Sequence, residues 1–277
     1  MDLSNIKDLK VAMQLAGIKA NKGLGQHFLI DAESVDAIID AAEITSSDTV
    51  LEVGPGLGVM TDQLAKTKAQ IVAVETDHNL VELLNRRLPD NVRVEEADIM
   101  KFNLADLPTN YKVVANVPYY ITSPIIRLLM ESKNPPVWSV LLIQKEVAER
   151  IAAKPGDMSI LALSVQYYAD VELVVDVPRD RFYPIPNVDS TVIKLTRKDQ
   201  PAFEADTGKL FRLIKAGFGE KRMQLRNSLS GGLQMTTDQS AGLIAQAGLK
   251  ETARAQELSL DEWKSLYDVV LAGGHLS

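Results

Sequence analysis

The sequence contains no cysteine. Disulfides, thiolate metal sites and cysteine nucleophiles are therefore excluded. Histidine is almost as scarce. His27, His78 and His275 are the only three, far apart along the chain, so no histidine metal site is expected. Long apolar runs are missing too. The stretch at 137–143 falls well short of the roughly 20 residues that cross a bilayer. The start, Met1-Asp2-Leu3-Ser4, has no basic segment leading into an apolar one, so no signal peptide is expected. These absences point to a soluble, cytoplasmic protein without metal or membrane.

What is present is enough for one large domain and a small one: 277 residues, 46% of them hydrophobic. The net charge of −7 argues against a nucleic-acid partner, but its distribution does not. Between 179 and 226 there are eleven cations against six anions, a local surplus of five. A basic stretch on an acidic protein is compatible with a phosphate-contacting face or with an ordinary solvated surface.

Short apolar strands alternate with amphipathic helices. Strands are expected at 50–53, 71–74, 92–94, 112–115 and 138–144. Helices are expected at 31–44 (with Asp31 as cap), 60–66, 79–88, 124–132 and 145–153. This alternation predicts a parallel α/β sheet covered on both faces. Two further strands, 171–177 and 191–196, have only a proline-rich link at 178–187 between them, which predicts a terminal hairpin. After a linker at 198–206 only helices are expected. Their stripes are Leu210, Phe211, Ile214, Phe218 and Trp263, Leu266, Tyr267, Val270, with Ser259 and Glu262 as a capping box.

Four motifs follow four successive strands. Glu52-Val53-Gly54-Pro55-Gly56-Leu57-Gly58 is a glycine-rich βα loop. Its spacing is not the G-x-G-x-x-G of dinucleotide enzymes, and Pro55 removes an N–H that a pyrophosphate could use. Both points favour a ligand without phosphates. Glu75, twenty-one residues after Gly54, ends the next strand, where an acid commonly holds ribose hydroxyls. Asp98 can accept from an adenine amine. Asn116-Val117-Pro118-Tyr119 ends the next strand. The Asn116 amide oxygen and the Val117 carbonyl, extended by the following proline, can accept the two hydrogens of an exocyclic amine. Tyr119 offers a ring face for a flat base. Each motif alone is weak; their order and spacing are not.

Together with Gly25-Gln26-His27-Phe28-Leu29, Gln144-Lys145-Glu146-Val147-Ala148-Glu149-Arg150, Phe182-Tyr183-Pro184-Ile185-Pro186-Asn187-Val188-Asp189-Ser190 and Phe218-Gly219-Glu220-Lys221-Arg222, these motifs make the chain resemble the KsgA/RsmA-type small-subunit ribosomal RNA adenine dimethyltransferases from about Lys22 onward. The resemblance implies a Rossmann-like, class I S-adenosylmethionine-dependent methyltransferase fold. Its sheet would be mostly parallel and seven-stranded with a terminal antiparallel hairpin, followed by a small all-α C-terminal domain. Domain bounds would be 1–21 for an N-terminal extension or helix, 22–198 for the methyltransferase and 199–277 for helical RNA recognition. The implied activity is N6,N6-dimethylation of two adjacent adenosines in a hairpin loop near the 3′ end of small-subunit (16S) rRNA. The implied setting is biogenesis of the 30S subunit, with the protein a monomer.

Carried over by residue, His27 and Leu29 line the methionine end of S-adenosyl-L-methionine, with Gly54 and Gly56 along its backbone. Glu75 takes its ribose and Asp98 its adenine. Asn116 borders the cofactor and, with Val117, binds the target amine. Tyr119 stacks on the target base, with Phe182 as a second wall. Lys221, Arg222 and Arg226 grip RNA. His27 replaces a frequent asparagine, Asn187 a frequent lysine, and the segment 159–165 departs from the usual pattern. The alternatives are a large-subunit rRNA adenine methyltransferase of the macrolide-resistance type and a mainly non-catalytic ribosome-assembly factor.

Overall fold

The computed structural model describes residues 3–15, 17–20, 25–220 and 223–276. The chain divides into two compact units, Met1–Glu149 with Asp170–Arg197 and Arg150–Ala169 with Lys198–Ser277. In chain order the first half runs α1 (Ile6–Leu15), β1 (Phe28–Leu29), α2 (Ala32–Ala42), β2 (Thr49–Val53), α3 (Val59–Lys66), β3 (Gln70–Glu75), α4 (His78–Arg87), β4 (Val92–Glu96), β5 (Lys112–Asn116) and α5 (Thr122–Glu131). It continues with β6 (Trp138–Gln144), α6 (Lys145–Ile151), α7 (Ile160–Gln166), β7 (Ala169–Val177), β8 (Phe182–Tyr183) and β9 (Ser190–Arg197). The last helices are α8 (Thr207–Gly217), α9 (Leu225–Leu233), α10 (Thr237–Gln246) and α11 (Leu260–Ala272).

Seven strands form one sheet in the order β4-β3-β2-β5-β6-β9-β7. Pairs β4–β3, β3–β2, β2–β5 and β5–β6 are parallel, and β6–β9 is antiparallel. The central strands read as nearly unbroken apolar runs because helices cover both faces. Val113, Val114 and Ala115 of β5 are fully buried. On one side α2 packs across β5, β6 and β9, and α3 packs on α2 and β3. Their core joins Val35, Ile38, Leu64, Val50, Val114 and Leu142. Asp31 caps α2 by accepting from Ser34 N at 3.0 Å, as expected.

The chain builds outward through β2, β3 and β4, then returns to lay β5 on the other side of β2. That reversal opens a crevice at the carboxyl ends of β2 and β5. Register sets what faces what. Val53 pairs with Val74 on β3 and with Ala115 on β5, so Gly54 and Asn116 lie one step beyond, side by side.

The expected hairpin forms as neighbours β9 and β7, but β9 sits inside, between β6 and β7. The proline-rich link also holds β8, which pairs antiparallel with β1 in a separate two-stranded sheet. Neither short strand was expected, because two residues show no periodicity.

In the second unit, Trp263 is fully buried among Leu210, Leu213, Leu225, Leu229 and Leu266. The expected Ser259–Glu262 capping box opens α11. Residues 150–169, placed by sequence within the sheet domain, cluster instead with this unit. Met158, Ala162, Leu163 and Tyr167 bury their apolar surface in its core. Helix α7, which begins at a Ser159 cap, is what the unusual 159–165 segment forms.

β2 carries one costly group. Glu52 is fully buried, and neither carboxyl oxygen nor the neighbouring Thr61 hydroxyl has a hydrogen-bond partner. Burial, reinforced by the nearby Asp62 and Glu75 carboxylates, pushes the Glu52 carboxyl up to about 8. Between the ordinary value of 4.5 and about 8, the folded state keeps a proton that the unfolded state has released. Stability therefore falls as pH rises through that window and levels off above it. The measurement is thermal unfolding from about pH 5 to about pH 9. Wild type should lose melting temperature relative to Glu52→Gln across the window, and the two curves should run parallel above it.

Candidate active site

The crevice at the ends of β2, β3 and β5 is a cavity of about 370 Å³. It is lined by Gly54, Gly56, Glu75, Asp98 and Asn116, and also by His27, Leu29, Val117 and Tyr119. Nine of the ten residues expected at the reaction and cofactor positions thus share one cavity, although they span nearly a hundred positions of sequence.

Gly56 stands where a side chain would fail. Its φ is +58°, and a Cβ there would meet the Phe28 ring at 3.0 Å. Its N–H donates to Glu75 Oε2 at 3.2 Å. Glu75 Oε1 accepts from Thr76 N at 2.8 Å and Asp77 N at 3.0 Å. Three backbone N–H groups thus orient one buried carboxylate at the cavity wall, so a ligand meets an acceptor already in place. Asp98 is exposed at the rim, where its Oδ1 accepts from Met100 N at 2.9 Å. Ile99 beside it is buried and Met100 partly open, giving an apolar slot next to the acid.

The Asn116 amide is oriented by a bond that sequence could not show. Its Nδ2 donates to the His27 backbone carbonyl at 3.0 Å. One Nδ2 hydrogen is thereby engaged, which orients the amide, and Oδ1 is the acceptor the side chain offers. Val117 N donates to Leu142 O at 3.1 Å, extending β5 along β6 by one residue. Pro118 has φ −55° and ψ 128°, after which Tyr119 begins a tight turn.

Tyr119 is half-buried, and its hydroxyl shares a 2.7 Å hydrogen bond with the buried Ser190 at the start of β9. Burial holds the phenol above its ordinary pKa, so the hydroxyl keeps its proton and the bond to Ser190. The His27 ring stacks on it with centroids 5.8 Å apart and planes at 21°. His27 Nδ1 donates to the Pro184 carbonyl at 2.7 Å, which fixes the orientation of the ring. The β1–β8 pairing brings this about. Phe28 lies opposite Tyr183, and Leu29 opposite Phe182. Two motifs more than 150 residues apart are thus one structural unit. Ser190 stood within a recognised motif, but nothing in the sequence tied it to Tyr119.

Phe182 is the exception. It is 1% exposed and packs in the sheet core with Leu29, Ile38, Val177 and Val192. It does not line the cavity. The expected second wall for a base is therefore corrected to a core residue that backs Leu29. Alternation along β8 sends Phe182 to the core and Tyr183 to the other side. Arg226, expected to grip RNA, lies on α9 with its guanidinium paired to Glu251. An RNA phosphate there would have to displace that carboxylate. Lys221 and Arg222 lie outside the described residues.

The lining holds two carboxylates, Glu75 and Asp98, and among the described residues no lysine or arginine. Such a wall disfavours a strongly anionic ligand and suits a neutral or cationic one. Among the described residues there is no cluster of three or more His, Asp or Glu able to hold a metal ion, and no helix long and apolar enough to cross a membrane.

Comparison with known proteins agrees with this geometry. The family model described as ribosomal RNA adenine dimethylase matches residues 17–271. A protein of Dehalococcoides mccartyi named ribosomal RNA small subunit methyltransferase A is 42% identical over 266 residues, covering 93% of this chain and 90% of the relative. The crystal structure of a dimethyladenosine transferase from Plasmodium falciparum superposes with a TM-score of 0.80 at 26% identity, over 90% of this chain and 98% of that one. The structure of the 23S rRNA methyltransferase ErmE gives 0.68 at 26% identity, over 87% and 98%. The class I methyltransferase fold and the matched family agree, and this chain belongs to the ribosomal RNA adenine dimethylase family.

Proposed function

We propose that this protein transfers methyl groups from S-adenosylmethionine to the N6 amines of two adjacent adenosines in a small-subunit rRNA hairpin loop, during assembly of that subunit. The observation that carries the chemistry is the Asn116 amide. Held through Nδ2 by His27, it presents Oδ1 at the end of β5, beside the glycine loop of β2. The target subunit follows the relative named for the small subunit, which matches this chain at 42% identity, and the dimethyladenosine transferase structure, which superposes with a TM-score of 0.80 against 0.68 for the large-subunit enzyme.

The cavity suits the cofactor. Glu75 would take the ribose hydroxyls, and Asp98 with Ile99 and Met100 the adenine. Gly54 and Gly56 allow close backbone approach, and His27 and Leu29 border the methionine end. When bound, the cofactor supplies a methyl group already activated on a sulfonium.

The work of the protein is then to prepare the nucleophile. An adenine amine is poorly nucleophilic because its lone pair is delocalised into the ring. Asn116 Oδ1 and the Val117 carbonyl accept its two hydrogens and favour a pyramidal nitrogen. That preference grows as the bond to carbon forms, so it lowers the barrier more than it tightens ground-state binding. Tyr119, fixed by Ser190, holds the base plane. Alignment of nitrogen with the methyl carbon does the rest, since effective molarities on the order of 10⁵ M are available from positioning alone, and the alkylated nitrogen then releases its acidic proton to water. The base reaches this cavity only when splayed out of its loop.

Two substitutions separate the roles. Asn116→Ala should lower turnover on under-methylated small subunits by at least ~100-fold, the scale of losing one aimed acceptor. Calorimetry should show its cofactor affinity within several-fold of wild type; near-normal turnover would remove Asn116 from the amine site. Glu75→Ala should weaken cofactor binding by roughly tenfold or more, the loss of a charge-assisted hydrogen bond. Mapping of N6,N6-dimethyladenosine on both rRNAs separates small-subunit from large-subunit targeting.

A further inference from the structure

Tyr120 is 62% exposed at the rim of the cavity, the most exposed aromatic side chain next to the proposed reaction site. Its neighbour Tyr119 is half-buried and tied to Ser190, whereas no hydrogen bond from the described residues reaches the Tyr120 hydroxyl. The ring is not loose against the protein. Gly25, with φ +63°, lies against it so closely that a Cβ there would stand 3.3 Å from Tyr120 Cδ1 and 3.5 Å from Cε1. One side of the ring therefore has backbone support, and much of the rest is open to solvent. Core packing, capping and hydrogen bonding give no reason for a large aromatic side chain at this position.

We propose that Tyr120 is a stacking platform for the unpaired nucleobase adjacent to the one being methylated. The proposal rests on the function proposed above and extends it to a second nucleotide. Splaying one adenosine into the cavity strips its neighbour of a stacking partner, and that loss opposes extrusion. A supported aromatic ring at the cavity mouth replaces the lost stack without reading the base, because every base has a π-face. Tyr119 and Tyr120 are consecutive in one tight turn, so a base held by the first has its sequence neighbour within reach of the second. For two adjacent target adenosines, the platform is filled by the partner adenosine on at least one of the two rounds.

The test uses the full-length protein with Tyr120→Ala and Tyr120→Phe. Tyr120→Ala should raise KM for under-methylated small subunits by roughly 5- to 150-fold, the range of one base–aromatic stack. Its kcat, cofactor Kd and melting temperature should match wild type, and Tyr120→Phe should behave as wild type in all four. A hairpin RNA carrying 2-aminopurine beside the target adenosine should lose fluorescence on binding wild type or Tyr120→Phe, and keep it on binding Tyr120→Ala. An unchanged KM, or quenching that survives in Tyr120→Ala, overturns the proposal. A weakened cofactor Kd in Tyr120→Ala also overturns it, by assigning the ring to the cofactor. If wild type fails to methylate the adenosines, the functional reading fails, while the fluorescence result still decides the role of the ring.

Discussion

Everything at the site depends on the parallel register of β2 with β3 and β5. Backbone hydrogen bonds along these three strands place Gly54, Glu75 and Asn116 at one sheet edge. The reversal of strand order at β2 and β5 leaves that end of the sheet uncovered by a connecting loop. A slip of one residue in β5 would turn Asn116 away and bring an apolar side chain to the crevice. Burial on both faces opposes such a slip, because Val113 to Ala115 fit only a dry, covered strand. The same core that stabilises the sheet therefore aims the Asn116 amide at the crevice.

A second constraint acts across the sheet edge. The two residues of β1 and the two of β8 would be trivial as secondary structure, yet their pairing brings His27 beneath the Pro184 carbonyl. From there His27 holds Asn116 through its backbone and flanks Tyr119 with its ring. Side chain, main chain and ring plane of one residue are all used. Phe182 contributes from below, filling the core under Leu29. The FYPIP segment shapes the site by fixing His27 and, through Ser190, Tyr119.

The sheet and its helices are largely legible in the sequence. Runs such as 138–144 and stripes such as Trp263 to Val270 carry periodicity, and the Asp31 and Ser259 caps carry donor–acceptor chemistry that acts locally. Gly54, Glu75, Asp98 and Asn116, which line the cavity, are legible for the same reason, since each follows a recognisable strand. What misled was adjacency in sequence. Phe182 stands beside residues that shape the cavity, but in a strand neighbouring side chains point to opposite faces. Residues 150–169 follow a sheet helix without a linker, yet their apolar side chains find their partners after 198. Arg226 carries a charge that sequence counts as free, and Glu251 on a distant turn claims it.

The sequence by itself determined the longer elements, the strand ends that line the cavity and the class of chemistry, because those follow from local pattern and from residue functional groups. Only the tertiary structure decided which atom of Asn116 is available, what fixes Tyr119, where Phe182 goes and which aromatic ring stays open to solvent. These depend on hydrogen bonds and packing between segments more than 150 residues apart. Such partners are chosen by how the sheet closes, and no local feature of either segment records the choice.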